Sequence, residues 1–263
     1  MENGKALTAS FGLIGKPIAH SKSPALFTAA YGGSWSYELL EAESCENAVK
    51  RFLEGPYKGI NVTAPYKEQA MRFVTSPDAV SSRLGNANLL LKDGDYLQNG
   101  VVYSYNTDYY GVKNTVRDFC GERCGTVTVI GAGGAGKAAT LAMADSGYDV
   151  CLVNRSRENA AAFAQAAGAE YVPLQEAARA IEKSWLVIYS LSMLPDEVKE
   201  ADFSDKVIFE ANYASPNLSP EQNVKSRLYI RGEYWLYNQA VPAFELFTGC
   251  KPDCEAMKKV MGI

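Results

Sequence analysis

Short apolar runs bounded by turn residues alternate along this chain with stretches whose apolar positions recur at helical spacing. Phe11–Ile14 reads as a strand. Ser23-Pro24 opens a helix, with Ser23 as cap and Pro24 in the first turn, and Gly32-Gly33 ends it. Tyr37–Leu40 reads as a strand, Ser44 caps a helix to Glu54 that Gly55-Pro56 ends, and Tyr57–Val62 is a further strand. Pro65 starts a helix to Val74. Leu89–Lys92 and Tyr96–Tyr103 form a hairpin around Asp93-Gly94, and Asp108–Cys120 is helical.

The second half has the same rhythm. Thr126–Ile130 reads as a buried strand, and Gly131-Ala132-Gly133-Gly134-Ala135-Gly136 follows at once. An alanine-rich helix, Lys137–Ser146, stops at Gly147, and Asp149–Val153 is a strand ending in Asn154-Arg155. Strands follow at Trp185–Tyr189, Val207–Glu210 and Arg227–Ile230, then a helix over Glu233–Phe247 that Gly249 ends; Asp253 caps a last helix. No internal repeat or low-complexity tract interrupts the series. The pattern predicts an α/β protein in which an αβ half without a phosphate loop precedes a dinucleotide half, with a substrate cleft between two domains.

The glycine loop carries the first chemistry. It is a G-x-G-x-x-G sequence between a strand and a helix, in a βαβ unit of about 30 residues. Gly131 allows the tight turn, Gly133 lets the backbone approach a pyrophosphate, and Gly136 lets helix pack on strand. The free N–H groups at the helix start, including those of Gly134 and Ala135, face an anion with the helix dipole behind them. An NAD site usually has Asp or Glu at the end of the second strand; here stand Asn154 and Arg155, with Arg157 close behind. A carboxylate repels a 2′-phosphate and a guanidinium attracts it, so the cofactor read is NADP. The competing readings are a doubly wound sheet with a glycine turn and no dinucleotide, and a solvated Arg155.

Composition narrows the class. The chain has 263 residues, 47% hydrophobic and 21% charged, enough for one large or two modest domains with a real core. With 26 basic and 30 acidic residues the net charge is −4, and no basic run offers itself to nucleic acid. Met1–Ser10 lacks the pattern of a signal peptide, and no apolar run is long enough to span a membrane, so a cytoplasmic protein is expected. The six cysteines lack zinc-site spacing and His20 is the sole histidine, so idle cytosolic thiols and no metal are expected. Any acid–base group is then a Lys, Asp, Glu or Tyr.

Three polar patches lie at element edges in the first half, where sites usually assemble: Ser21-Lys22-Ser23-Pro24, Asn61–Lys67 and Asn106-Thr107-Asp108. Ser23 and Asp108 also suit helix caps. Lys67 would lie near the positive end of a helix dipole, the wrong end for a structural lysine, so it is either solvated or engaged in chemistry beside a carboxylate.

Taken together, these patches resemble the shikimate dehydrogenases over nearly the whole chain. The matches are Gly15-x-Pro17-Ile18-x-His20-Ser21-x-Ser23-Pro24, Asn61-Val62-Thr63-x-Pro65-x-Lys67, Ala87-Asn88, Asn106-Thr107-Asp108, Gly131–Gly136, Asn154-Arg155, and Gln239-Ala240 with Phe244-Glu245 and Gly249. The resemblance implies a substrate-binding and catalytic domain over residues 1–107, completed by 233–263, and a Rossmann-type NADP domain over 108–232. It implies that Ser21, Ser23 and Tyr213 bind a substrate carboxylate, and that Thr63, Asn88 and Gln239 bind ring hydroxyls. Lys67 and Asp108 would be the catalytic pair. Gly131, Ala132, Gly133, Gly134, Ala135, Asn154, Arg155, Arg157 and Gly232 would hold NADP.

The implied reaction is the NADP-dependent, reversible reduction of 3-dehydroshikimate to shikimate, on the chorismate route to aromatic amino acids, by a monomer or homodimer. The alternatives are a paralogue acting on quinate or a related cyclic hydroxy acid, and a non-catalytic shikimate-binding module, against which the presence of both Lys67 and Asp108 argues. The chain departs from the family's pattern at Phe27-Thr28, Leu89, Asn159, Tyr189–Ser192 and Trp235, the last in place of a methionine near the nicotinamide. These departures cluster on the cofactor side and point to weaker NADPH binding or a divergent paralogue rather than to a changed substrate carboxylate site.

Overall fold

The computed structural model describes residues 10–94, 100–222 and 224–263. It divides into two compact units, Met1–Thr107 with Ala240–Ile263, and Asp108–Gln239. The expected hairpin residues 96–99, and the reading of residues 1–9, lie outside the described residues.

The first unit contains β1 (Ser10–Ile14), α1 (Ser23–Tyr31), β2 (Ser36–Leu39), α2 (Cys45–Glu54), β3 (Tyr57–Val62), β4 (Ser76–Pro77), α3 (Ala79–Leu84), β5 (Leu89–Asp93) and β6 (Val101–Tyr105). Its sheet has the order β2-β1-β3-β5-β6-β4. β1 pairs in parallel with β2 and β3, while β5 runs antiparallel to both β3 and β6. One consequence positions the site. The carboxyl ends of β1, β3 and β6 and the amino end of β5 fall on one edge, as the registers Ile14↔Val62, Asn61↔Leu89 and Leu89↔Tyr105 record.

Two local expectations for this unit are corrected. Pro65 does not start an α-helix: turns lead into a 3₁₀ helix over Gln69–Phe73. The Lys67 carbonyl accepts the Ala87 N–H at 3.0 Å, and the Met71 N–H goes to Glu68 at 3.2 Å, so no i→i+4 ladder can pass through Lys67. Lys67 therefore sits on a turn, and the helix-dipole argument for it falls. Ser23 does not cap α1 either. Lys22 occupies the cap position without a side-chain bond, and the Ser23 N–H donates to Ser21 Oγ at 3.2 Å. Ser44 does cap α2, accepting from the Asn47 N–H.

The second unit contains α4 (Asp108–Cys120), β7 (Thr126–Ile130), α5 (Gly134–Ala144), β8 (Asp149–Asn154), α6 (Ala161–Ala167), β9 (Glu170–Pro173), α7 (Ala177–Lys183), β10 (Leu186–Tyr189), α8 (Asp196–Lys199), β11 (Val207–Glu210) and β12 (Leu228–Ile230). All six strands are parallel, in the order β12-β11-β10-β7-β8-β9. Val127, Val129, Val150, Leu152, Val187 and Ile208 are almost wholly buried, as a parallel sheet covered on both faces requires. Counted from β7, the order is 3-2-1-4-5-6, with the switch point between β7 and β10, where ligands bind beyond the carboxyl ends of the strands.

The chain ends with α9 (Gly232–Thr248) and α10 (Cys254–Met261), and the division between units falls within α9. Asp253 caps α10, and its N–H donates to the Ala30 carbonyl of α1, returning the terminus to the first unit. Phe27 forms an aromatic cluster there with Phe11, Tyr31, Tyr37, Phe244 and Phe247, which accounts for a phenylalanine at that departure.

Candidate active site

In the first unit the predicted polar residues lie along the sheet edge defined above. Ser21 Oγ donates to Ser23 Oγ at 3.2 Å, so the two hydroxyls act as one patch; Ser23 is buried and Ser21 half-buried. The Tyr37 hydroxyl lies against Ser23 and donates to Asn61 Oδ1 at 2.8 Å. Burial pushes the Tyr37 hydroxyl's pKa up, and the Ser23 hydrogen bond opposes that shift. Asn61 Nδ2 reaches the Asn88 carbonyl at 3.2 Å, and the Asn88 side chain bonds Thr107. A continuous polar chain thus runs from Ser23 to the residue preceding Asp108. Tyr37 was not singled out from the sequence, because a tyrosine in a short strand carries no mark of its hydroxyl's partners.

Thr63 follows β3, and its N–H donates to the Ile14 carbonyl at 2.9 Å. Gly15 makes room for it: a Cβ there would come 2.3 Å from Thr63 Cγ2. Lys67 is half-buried, and its backbone is tied to Ala87, the neighbour of Asn88.

In the second unit Asp108 opens α4 and is buried at 7% exposure. Trp235 Nε1 donates to Asp108 Oδ1 at 3.2 Å, a partner that sequence reasoning missed. Gln239, half-buried, lies one turn beyond Trp235 on α9. Tyr213 is half-buried and lines a cavity of about 640 Å³ with Asn212, Arg231 and Tyr234. Gly232 packs on the end of β11, where a Cβ would meet the Ala211 carbonyl at 2.6 Å.

The glycine loop joins β7 to α5. Gly131 has φ +104°, and a Cβ on Gly136 would lie 1.8 Å from the Gly131 carbonyl oxygen. By contrast, a Cβ on Gly133 would meet nothing within 4 Å. Gly133 caps α5 with no side-chain bond, so the helix start, with Gly134 and Ala135 half-buried, keeps its first N–H groups for an anion. Ala132 is buried, and its N–H donates to Asn154 Oδ1 at 3.2 Å, while Asn154 Nδ2 donates to the Ser156 carbonyl. Asn154 therefore ties the end of β8 to the loop. Arg155 and Arg157 are exposed, and Arg157 lies 5.3 Å from the centroid of the Tyr171 ring. Open backbone, an uncapped helix start and two guanidinium groups fit a dinucleotide bearing a 2′-phosphate. Tyr189 ends β10 fully buried, with its hydroxyl donating to the Met193 carbonyl, and Ser190 Oγ donates to the Ile130 carbonyl at 2.9 Å, across the switch point.

Fold and loop define a two-unit α/β protein with a Rossmann-type dinucleotide-binding unit. Residues 13–90 match the family model for the shikimate dehydrogenase substrate binding domain, and residues 117–215 that for shikimate/quinate 5-dehydrogenase. The chain belongs to the shikimate dehydrogenase family. The shikimate dehydrogenase (NADP(+)) of Natronomonas pharaonis is 32% identical over 95% of this chain and 97% of its own length. The crystal structure of shikimate dehydrogenase from Aquifex aeolicus is 29% identical, with a TM-score of 0.82 over 99% of both chains. That of the Thermus thermophilus enzyme, in complex with NADP(H) and shikimate, is 26% identical, with a TM-score of 0.79 over 97% of this chain and 98% of the other. Among the described residues, no helix is long and apolar enough to cross a membrane.

Proposed function

We propose that this chain is an NADP-dependent oxidoreductase that reversibly reduces 3-dehydroshikimate to shikimate. The observation that carries the reading is the convergence of Ser21, Ser23, Thr63, Lys67 and Asn88 on one edge of the first sheet, with Asn106-Thr107 leading directly to Asp108. Ser21 and Ser23 hold the substrate carboxylate, with Tyr213 assisting. Thr63, Asn88 and Gln239 bind ring hydroxyls.

Bound NADPH supplies the hydride. Negative charge then builds on the carbonyl oxygen. The Lys67 ammonium stabilises that charge and delivers the proton; in the reverse direction Lys67 takes it back. Asp108, the paired carboxylate, bonds the hydroxyl next to the reacting carbon. The Gly131–Ala135 loop cradles the pyrophosphate, with the Gly133, Gly134 and Ala135 N–H groups at the helix start facing it, and Arg155 with Arg157 holds the 2′-phosphate, with Asn154 fixing Ala132 in the loop and Gly232 bordering the site. No metal takes part. All six cysteines are unpaired thiols, which suits the reducing cytoplasm in which we place the protein, as a monomer or homodimer.

The test is a substrate panel with NADPH and NADH, followed by nicotinamide absorbance. Turnover of 3-dehydroshikimate with NADPH, faster than that of quinate with NADP, is expected. No turnover would refute the reading, and tight calorimetric binding of shikimate without turnover would identify a binding module instead.

A further inference from the structure

We infer that Trp235 is a positioning residue that holds the Asp108 carboxylate, an inference that rests on the reading just given. Trp235 is 4% exposed and Asp108 7%. Their bond, Nε1 to Oδ1 at 3.2 Å, is therefore buried. A carboxylate taken out of water needs donors, and an indole N–H can only donate. The bond fixes the direction of Asp108 Oδ1 and limits the rotation of the side chain.

The indole is itself fixed. Its ring packs against Phe209, with centroids 5.2 Å apart and planes at 44°. On α4, one turn beyond Asp108, a Cβ on Gly111 would fall 3.1 Å from Trp235 Cδ1 and 2.9 Å from Gln239 Cβ. Glycine thus lets α9 approach α4 closely enough for the bond to form. Trp235 and Gln239 are four residues apart and share one face of α9. A methionine or phenylalanine at position 235 would offer no N–H, so the bond depends on the indole.

The test uses Trp235→Phe, which keeps an aromatic ring and removes the donor, together with Asp108→Asn and the double variant. Trp235→Phe should lower kcat about tenfold, in the range expected for one hydrogen bond to a charged group, with KM for NADPH little changed. In the Asp108→Asn background the same substitution should cost nothing further, whereas a purely structural tryptophan would act additively. Additive effects, or a kcat at the wild-type level in Trp235→Phe, would overturn the inference.

A readout independent of activity accompanies the kinetics. The chain has three tryptophans and so three indole N–H resonances. Asp108→Asn should shift the one that Trp235→Phe abolishes; if that resonance stays in place, the bond is absent. This separates failure of the contact from failure of the proposed activity, which would show as a wild-type chain that does not turn over 3-dehydroshikimate.

Discussion

The Thr107 N–H donates to Asn88 Oδ1 at 2.7 Å, Asn88 Nδ2 donates to Thr107 Oγ1 at 2.9 Å, and Oγ1 donates back to Oδ1 at 3.2 Å. Both residues are buried, so the pair locks the start of β5 to the end of β6 beside the proposed substrate groups. Thr107→Val keeps the shape and removes the hydroxyl. It should destabilise the protein by about 1–3 kcal/mol, the range for a buried polar group losing its partner. The urea midpoint should fall and KM for shikimate should rise. An unchanged midpoint would show that the hydroxyl contributes nothing.

Lys67 carries the proton transfer in the proposed mechanism. Lys67→Ala should lower kcat by about 10²–10⁴-fold, the usual scale of general acid–base assistance, with a much smaller change in shikimate affinity. A variant near the wild-type rate would remove Lys67 from the chemistry.

Two glycines of the loop should respond in opposite ways. Gly136→Ala places a Cβ 1.8 Å from a backbone oxygen, so the βαβ unit should lose soluble yield or melt far earlier. Gly133→Ala, whose Cβ meets nothing within 4 Å, should fold normally and bind NADPH more weakly. Equal melting temperatures for the two variants would contradict the packing role assigned to Gly136.

Arg155→Ala should raise KM for NADPH and leave KM for NADH unchanged, because only the 2′-phosphate distinguishes the two cofactors. Arg157→Ala should act in the same direction and more weakly if Asn154 and Tyr171 hold the rest of the platform. A parallel rise for both cofactors would refute the assignment.

Alkaline pH should unfold the protein through its tyrosines. Burial, reinforced by the bond to Glu38, pushes the Tyr57 hydroxyl up to about 12, and Tyr37, Tyr189 and Tyr229 shift the same way. An unfolded tyrosine titrates near 10, so this stabilisation is complete below about pH 10 and is lost as pH rises through the folded value. Urea midpoints should be flat to pH 10 and then fall, less steeply in Tyr57→Phe. A flat midpoint through pH 12 would contradict the shift.

Much of this was legible locally. The strand, glycine loop and helix over residues 126–144 follow from apolar runs and glycines whose roles are decided within a few residues. The Ser44 and Asp253 caps follow equally, since a cap bonds its own helix. The turn at Lys67 did not, because the partner that takes its carbonyl, Ala87, lies twenty residues away. Ser23 looked like a cap, but Lys22 holds that position and the Ser23 N–H goes to Ser21 Oγ, while the Ser23 hydroxyl meets Ser21 and Tyr37.

By itself the sequence determined the αβ alternation, the dinucleotide loop, the two arginines that follow β8 and the set of polar residues available for chemistry, all of which are encoded in spacing and residue type. Only the tertiary structure decided which of those residues share the edge of the first sheet, because an antiparallel β5 reverses the chain and brings Asn88 to the ends of β1 and β3. It likewise decided that Trp235, 127 positions from Asp108, donates a hydrogen bond to that carboxylate. Contacts between distant positions depend on how helices and strands pack, and no local pattern records them.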